Sequence, residues 1–147
     1  KARRFKLQYD IQLVIIDYLQ LMEGRSAENR QQEISSISRG LKALARELNV
    51  PVIAVSQLNR SVETREGHTP RMSDLRESGS IEQDADVIML LHRADYYDPT
   101  KNPGEVDVDV AKQRNGPTGK IKLTFRNQFL RFENFANDAS IDSFDTL

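Results

Sequence analysis

The chain has 147 residues and 38% hydrophobic side chains, enough for one domain with a real core, which excludes disorder as a whole. Its formal net charge of −1 excludes a uniformly basic nucleic-acid binder, although a local basic surface remains compatible with it. There are no cysteines, which excludes disulfides and thiolate metal sites, and His68 and His92 are too few for a histidine cluster. No stretch approaches a membrane-spanning length or resembles a signal peptide. Because the chain opens on Lys1 rather than methionine, an upstream part is expected to be missing.

The segment from Lys1 to Lys6 carries four cations, which suits the last turns of a basic helix or simply a solvated face. Leu13-Val14-Ile15-Ile16 then runs unbroken into Asp17. Such a run predicts a strand covered on both faces, as in a parallel sheet. The carboxyl end of such a strand borders the ligand crevice of an open α/β sheet, so Asp17 is placed to meet a cation or phosphate; an acid there also merely ends a strand. After Tyr18 to Met22, Gly24 and Ser26 open a loop. Ile34, Ile37, Leu41, Leu44, Ala45 and Leu48 step by three and four and predict one face of a helix, closed by Asn49 and Pro51.

Val52-Ile53-Ala54-Val55-Ser56-Gln57 repeats the opening pattern, an apolar strand ending in polar groups. The βαβ unit so formed has parallel strands, with Asp17 and Gln57 projecting to the same side. Leu58 to Ser73 is a polar loop of about sixteen residues, long enough to be functional or mobile. Ser73 to Ser80 reads as a helical turn leading into a glycine-permitted bend. Val87 to Leu91 is a third apolar strand extending the sheet. Val106, Val108 and Val110 then alternate with polar or small residues, and Lys112 and Arg114 keep the valine parity. Asn115 to Gly119 is turn chemistry, Lys120 to Phe125 alternates again, and Phe129 to Phe132 adds a further strand, so an antiparallel hairpin or meander is expected. Residues 137–147 read as an acidic, poorly ordered tail, leaving 1–136 as the domain proper.

A nucleotide hydrolase needs a backbone cradle with a lysine for the phosphates, a carboxylate for magnesium and a group that orients the attacking water. The nearest imitation of the cradle is Gly116 to Ile121. It has Arg114 in place of the first glycine, Ile121 in place of the hydroxyl, and no following helix, so any phosphate loop is expected upstream of Lys1.

Leu13 to Met22, Val52 to Arg60, Asp74 to Asp86 and Ala111 to Gly119 together resemble successive motifs of the replicative hexameric DNA helicases of the DnaB type. The likeness runs from about Leu7 to Ala136. It implies an α/β fold of the RecA-like P-loop NTPase class, a mostly parallel sheet flanked by helices with a C-terminal antiparallel hairpin, lacking its front part with the phosphate loop. The implied activity is ATP-driven 5′ to 3′ translocation on single-stranded DNA and duplex unwinding in replication, with ATP and Mg2+ as cofactors. Implied partners are identical subunits in a hexameric ring and single-stranded DNA, with primase and a helicase loader as further candidates. The implied location is the bacterial cytoplasm.

On that resemblance Asp17 is the Walker B acid that acts on magnesium, and Gln57 senses the γ-phosphate and relays it to the DNA loops. Lys112 and Arg114 would enter the neighbouring subunit's ATP site as fingers. Arg76, Glu77 and Gly79 match the channel loop that holds the DNA backbone. Without the resemblance, Gln57 is equally a solvated strand end, Lys112 and Arg114 are surface cations beside a turn, and Arg76 and Glu77 are a surface pair. Related ATPases often carry a glutamate directly after the Walker B acid, where this chain has Tyr18. In the family the catalytic glutamate comes from a preceding segment, so the chain alone is expected to be inactive. A non-catalytic RecA-like binding module and a recombinase-type ATPase are the alternative readings.

Overall fold

The computed structural model describes residues 1–23 and 29–136, and of residues 76–79 the backbone only. The loop expected at Gly24 and Ser26 and the acidic tail lie outside the described residues. The described chain forms two compact units, residues 1–62 with 71–86 and residues 63–70 with 87 onward.

In the first unit, helix α1 (Ala2–Tyr9) buries no residue and ends at Asp10, whose left-handed backbone returns its N–H to the carbonyl of Lys6. Of its cations, exposed Arg3 is bonded to Glu47 and half-buried Lys6 is paired with Asp10. Strand β1 (Val14–Ile16) pairs in parallel with β2 (Val52–Ala54), in the register Val14 to Val52, Ile15 to Ile53 and Ile16 to Ala54. Between them runs α2 (Arg30–Leu48). Asn29 caps it by accepting from the Gln32 N–H at 2.9 Å, while Asn49 closes it in the left-handed region. Its apolar stripe does what the spacing predicts: Ile34 and Ile37 form a core with Leu19, flanked by Ile16, Met22, Leu41 and Ile81.

Ile81 comes from α3 (Gly79–Asp84), which follows a 3-10 segment over Met72–Ser78 without interruption. The expected helical turn is present, and the helix continues through Gly79. Ser38 of α2 donates to Asp84 at 2.8 Å, and Lys42 is paired with Asp86, fixing this segment to α2 at both points.

Among the described residues β1 and β2 are covered on one face only. Ile15 is 63% exposed and Ile53 52% exposed, contrary to the two-sided burial expected from the apolar run. An apolar run reports that both faces are suited to burial and does not say what lies against them.

The second unit is an antiparallel sheet in the order β3 (Val87–His92), β4 (Glu105–Gln113), β5 (Gly119–Arg126), β6 (Arg131–Asn134). The third apolar strand therefore joins β4 rather than extending the parallel pair, so parallel pairing is confined to β1 and β2 among the described residues. Its burial alternates, with Ile88 and Leu90 covered and Val87, Met89 and Leu91 exposed. The expected meander is present, with Val106 and Val108 as its most buried valines. Beneath the turn between β3 and β4, Arg93 forms a bidentate pair with Asp95 and lies over the Phe125 ring at 4.4 Å. Asp95 also accepts from the Gly104 N–H at 2.9 Å. The short helix α4 (Ala94–Tyr97), which no periodicity announced, stacks Tyr97 against His68 at 3.9 Å between ring centres. Tyr97 also donates to Glu63, so the stretch 63–70 of the long polar loop is held by this unit.

Candidate functional site

Parallel pairing of β1 and β2 brings Asp17 and Gln57 to the same end of one sheet, as the βαβ reading expects. The ladder extends just past the strands: Val55 N–H donates to the Ile16 carbonyl and Leu19 N–H to the Val55 carbonyl, both at 2.9 Å. Asp17 leaves β1 at that edge with an exposed side chain that has no ion-pair partner among the described residues. Gln57, three residues past β2, is also exposed, and its side-chain amide makes no hydrogen bond among the described residues.

The main chain of Gln57 is held. Its N–H donates to Oε1 of Gln20 at 3.2 Å, and its carbonyl accepts from Nε2 of Gln20 at 3.2 Å. The same Nε2 lies 3.2 Å from the Ser56 hydroxyl. Gln20 is itself anchored through its carbonyl oxygen, which accepts from Arg30; Arg30 also donates to the Met22 carbonyl at 3.3 Å and pairs with Glu33.

A cavity of about 420 Å³ opens here, lined by Gln20, Arg30, Gln57, Asn59 and Asp74 among others. Asp17 lies outside its lining. Among the lining residues Asp74 is only 4% exposed, and its carboxylate accepts from the Arg71 N–H at 2.7 Å, half of a capping box at the start of the 3-10 segment. The Asp74 carbonyl accepts from the Asn59 N–H at 2.9 Å, which ties the segment after β2 to the one that leads into Arg76. Gln20, Arg30, Asn59 and Asp74 were missed by sequence reasoning. A lone amide between Leu19 and Leu21, and an acid three residues into a helical start, were the signals available.

No group of three or more His, Cys, Asp or Glu side chains among the described residues could hold a metal by protein ligands alone. A single exposed carboxylate at a strand end fits Mg2+ nonetheless, because that ion takes most of its ligands from phosphate and water.

Lys112 and Arg114 belong to the second unit, Lys112 half-buried on β4 and Arg114 exposed in the turn beyond it. The expected valine parity is not kept. Met89 pairs with Val110 but Ile88 pairs with Lys112, so Ala111 is an extra residue that shifts the alternation by one. Lys112 consequently lies on the face of Ile88 and Leu90, opposite that of Val108 and Val110. The side chains of Arg76 and Glu77 are not described; the backbone of Arg76, Glu77 and Gly79 runs through the 3-10 segment into α3. The false phosphate cradle sits where expected, in the turn that opens β5.

The chain is 56% identical over 137 residues to the replicative DNA helicase DnaB of Geobacillus stearothermophilus, covering 91% of this chain and 30% of the relative. It is 53% identical over 147 residues to the replicative DNA helicase DnaC of Bacillus subtilis, covering 96% of this chain and 32% of the relative. The chain thus spans about a third of the length of the curated relatives it matches. Among solved structures it is similar to the ATPase domain of G40P, with a TM-score of 0.84 at 45% identity over 92% of this chain and 50% of the other. A structure of a DnaB-like replicative helicase and its interactions with primase gives the same TM-score and identity, with 34% of that chain covered. These neighbours carry the RecA-like ATPase fold that the sequence motifs imply. Residues 1–134 match the family model described as the DnaB-like helicase C terminal domain, and the chain belongs to that family.

Proposed function

We propose that residues 1–136 form part of the motor domain of a replicative DNA helicase, which hydrolyses ATP at subunit interfaces and moves along single-stranded DNA. The observation that carries this reading is the shared sheet edge, where, among the described residues, Asp17 is exposed without an ion-pair partner and Gln57 has a hydrogen-bonded main chain and a side chain that makes no hydrogen bond. Family membership supplies the chemistry that suits them.

Asp17 holds Mg2+ directly or through water, and the Gln57 amide meets the γ-phosphate. Both are acceptor or donor groups of the kind that phosphoryl transfer needs, held just beyond the ends of β1 and β2. Asn59 and Asp74 supply a hydrogen-bonded route from Gln57 towards Arg76, Glu77 and Gly79, which contact the DNA backbone and so bind it with little regard to sequence. Lys112 and Arg114 act on the ATP site of the neighbouring subunit, where a cation neutralises charge that develops on the transferred phosphate. The ring is a hexamer of identical subunits in the bacterial cytoplasm, and primase and a loader dock on it. Similarity to a DnaB-like replicative helicase that interacts with primase supports the primase contact.

Steady-state turnover of the parent helicase tests this reading. Asp17→Asn and Gln57→Ala should each lower DNA-stimulated ATP hydrolysis and unwinding by about 100-fold, the scale for losing one transition-state group. Unwinding at the unsubstituted rate in either variant would overturn it.

A further inference from the structure

We infer that Gln20 is a positioning residue for this site: its side-chain amide pairs with the main chain of Gln57 and fixes the point from which the Gln57 side chain departs. The inference rests on the proposed phosphate-sensing role of Gln57.

The ladder between β1 and β2 ends with the bonds at Val55, two residues before Gln57. Beyond that point the Gln57 peptide groups have no strand partner, and an unpaired peptide would rotate and turn to water. Gln20 replaces the missing strand. Its Oε1 accepts from the Gln57 N–H and its Nε2 donates to the Gln57 carbonyl, both at 3.2 Å, which is the double bond pattern of a bridge between strands. At neutral pH, where carboxyl groups are ionised and accept only, a primary amide offers a donor and an acceptor on neighbouring atoms at the end of a flexible arm. Gln20 in turn is fixed by Arg30, the first residue of α2, which bonds to its carbonyl oxygen. The result is a route from the start of α2 through Arg30 and Gln20 to Gln57, whose side chain makes no hydrogen bond among the described residues. Gln20 acts on the main chain of Gln57, which makes it a positioning residue rather than a catalytic one.

The parent helicase carrying Gln20→Met, which keeps the length of the arm and removes both bonds, tests the pairing. Amide hydrogen exchange at Gln57 should quicken by about tenfold. ATP turnover at saturation should fall by about tenfold while KM for ATP moves by less than about twofold, as expected when alignment rather than binding is lost. Gln20→Met combined with Gln57→Ala should be no slower than Gln57→Ala alone, because the two act as a unit. Gln20→Glu, which keeps the acceptor and loses the donor, should follow Gln20→Met and serves in its place if that variant does not fold. Unchanged exchange at Gln57, full turnover in Gln20→Met, or losses that multiply in the double variant would each overturn the inference. Full turnover in Gln57→Ala would overturn the sensing reading and with it the positioning claim, whereas exchange at Gln57 separately reports whether the pairing exists.

Discussion

Asn59 donates its main-chain N–H to the carbonyl of Asp74 at 2.9 Å, joining the segment that leaves β2 to the one that leads into the proposed DNA loop. Asp74 is buried and its carboxylate holds the Arg71 N–H, so the carbonyl that Asn59 meets is itself fixed. Asp74→Ala removes this cap from the Arg71 N–H and should cost about 0.5–2 kcal/mol of unfolding free energy. Thermal unfolding reads the loss. If the route carries the nucleotide signal, the same variant should also reduce the stimulation of ATP turnover by single-stranded DNA more than it reduces turnover without DNA.

Within the second unit, Asp95 gives a dependence on acidity with a fixed sign. The Arg93 guanidinium, followed by the Gly104 N–H, holds its carboxyl below the ordinary carboxylate range. A depressed carboxyl stabilises the folded state above its unfolded pKa and loses that contribution as pH falls through its folded one. Unfolding of this unit should therefore grow easier as pH drops below about 4, the range of an unperturbed aspartate. Asp95→Asn should flatten that part of the profile and lower stability at neutral pH by about 1–3 kcal/mol. A profile identical to that of the unsubstituted protein would contradict the assignment.

The two hydrophobic cores should respond separately to truncation. Ile37 anchors the first with Leu19 and Ile34, and Val106, 1% exposed, anchors the second. Ile37→Ala should cost about 2–5 kcal/mol, and Val106→Ala, which removes fewer atoms, somewhat less. Denaturant titration of the two variants reads both values, and a cost below about 0.5 kcal/mol at either position would deny it a core role.

How much of this was legible in the sequence depended on whether the signal was local. The stripe from Ile34 to Leu48, the capping Asn49 and the run from Val14 to Ile16 each describe their own element, and all were found where the spacing put them. The pairing of Val87 to Leu91 was not legible, because its partner β4 lies some twenty residues on and an apolar run carries no address. The bulge at Ala111 was hidden for a related reason. One extra residue reverses the face of everything after it, and Val110-Ala111-Lys112 reads as ordinary alternation until the register against Ile88 is known. In the candidate site the strand-end residues Asp17 and Gln57 were visible as polar stops after apolar runs. Gln20 was not, because its role is a contact with a main chain 37 residues away.

The central claim is that the ATP site is shared, with Asp17 serving its own subunit and Arg114 the next. It is tested most directly by mixing parent helicase rings of Asp17→Asn subunits with rings of Arg114→Ala subunits and measuring ATP turnover after subunit exchange. Each parental ring should be nearly inactive. A mixed ring should regain activity, since an Arg114→Ala subunit next to an Asp17→Asn subunit completes one site, at about a quarter of the interfaces in an equimolar random ring. Turnover no greater than the sum of the two parents, with exchange of subunits verified, would contradict a shared site.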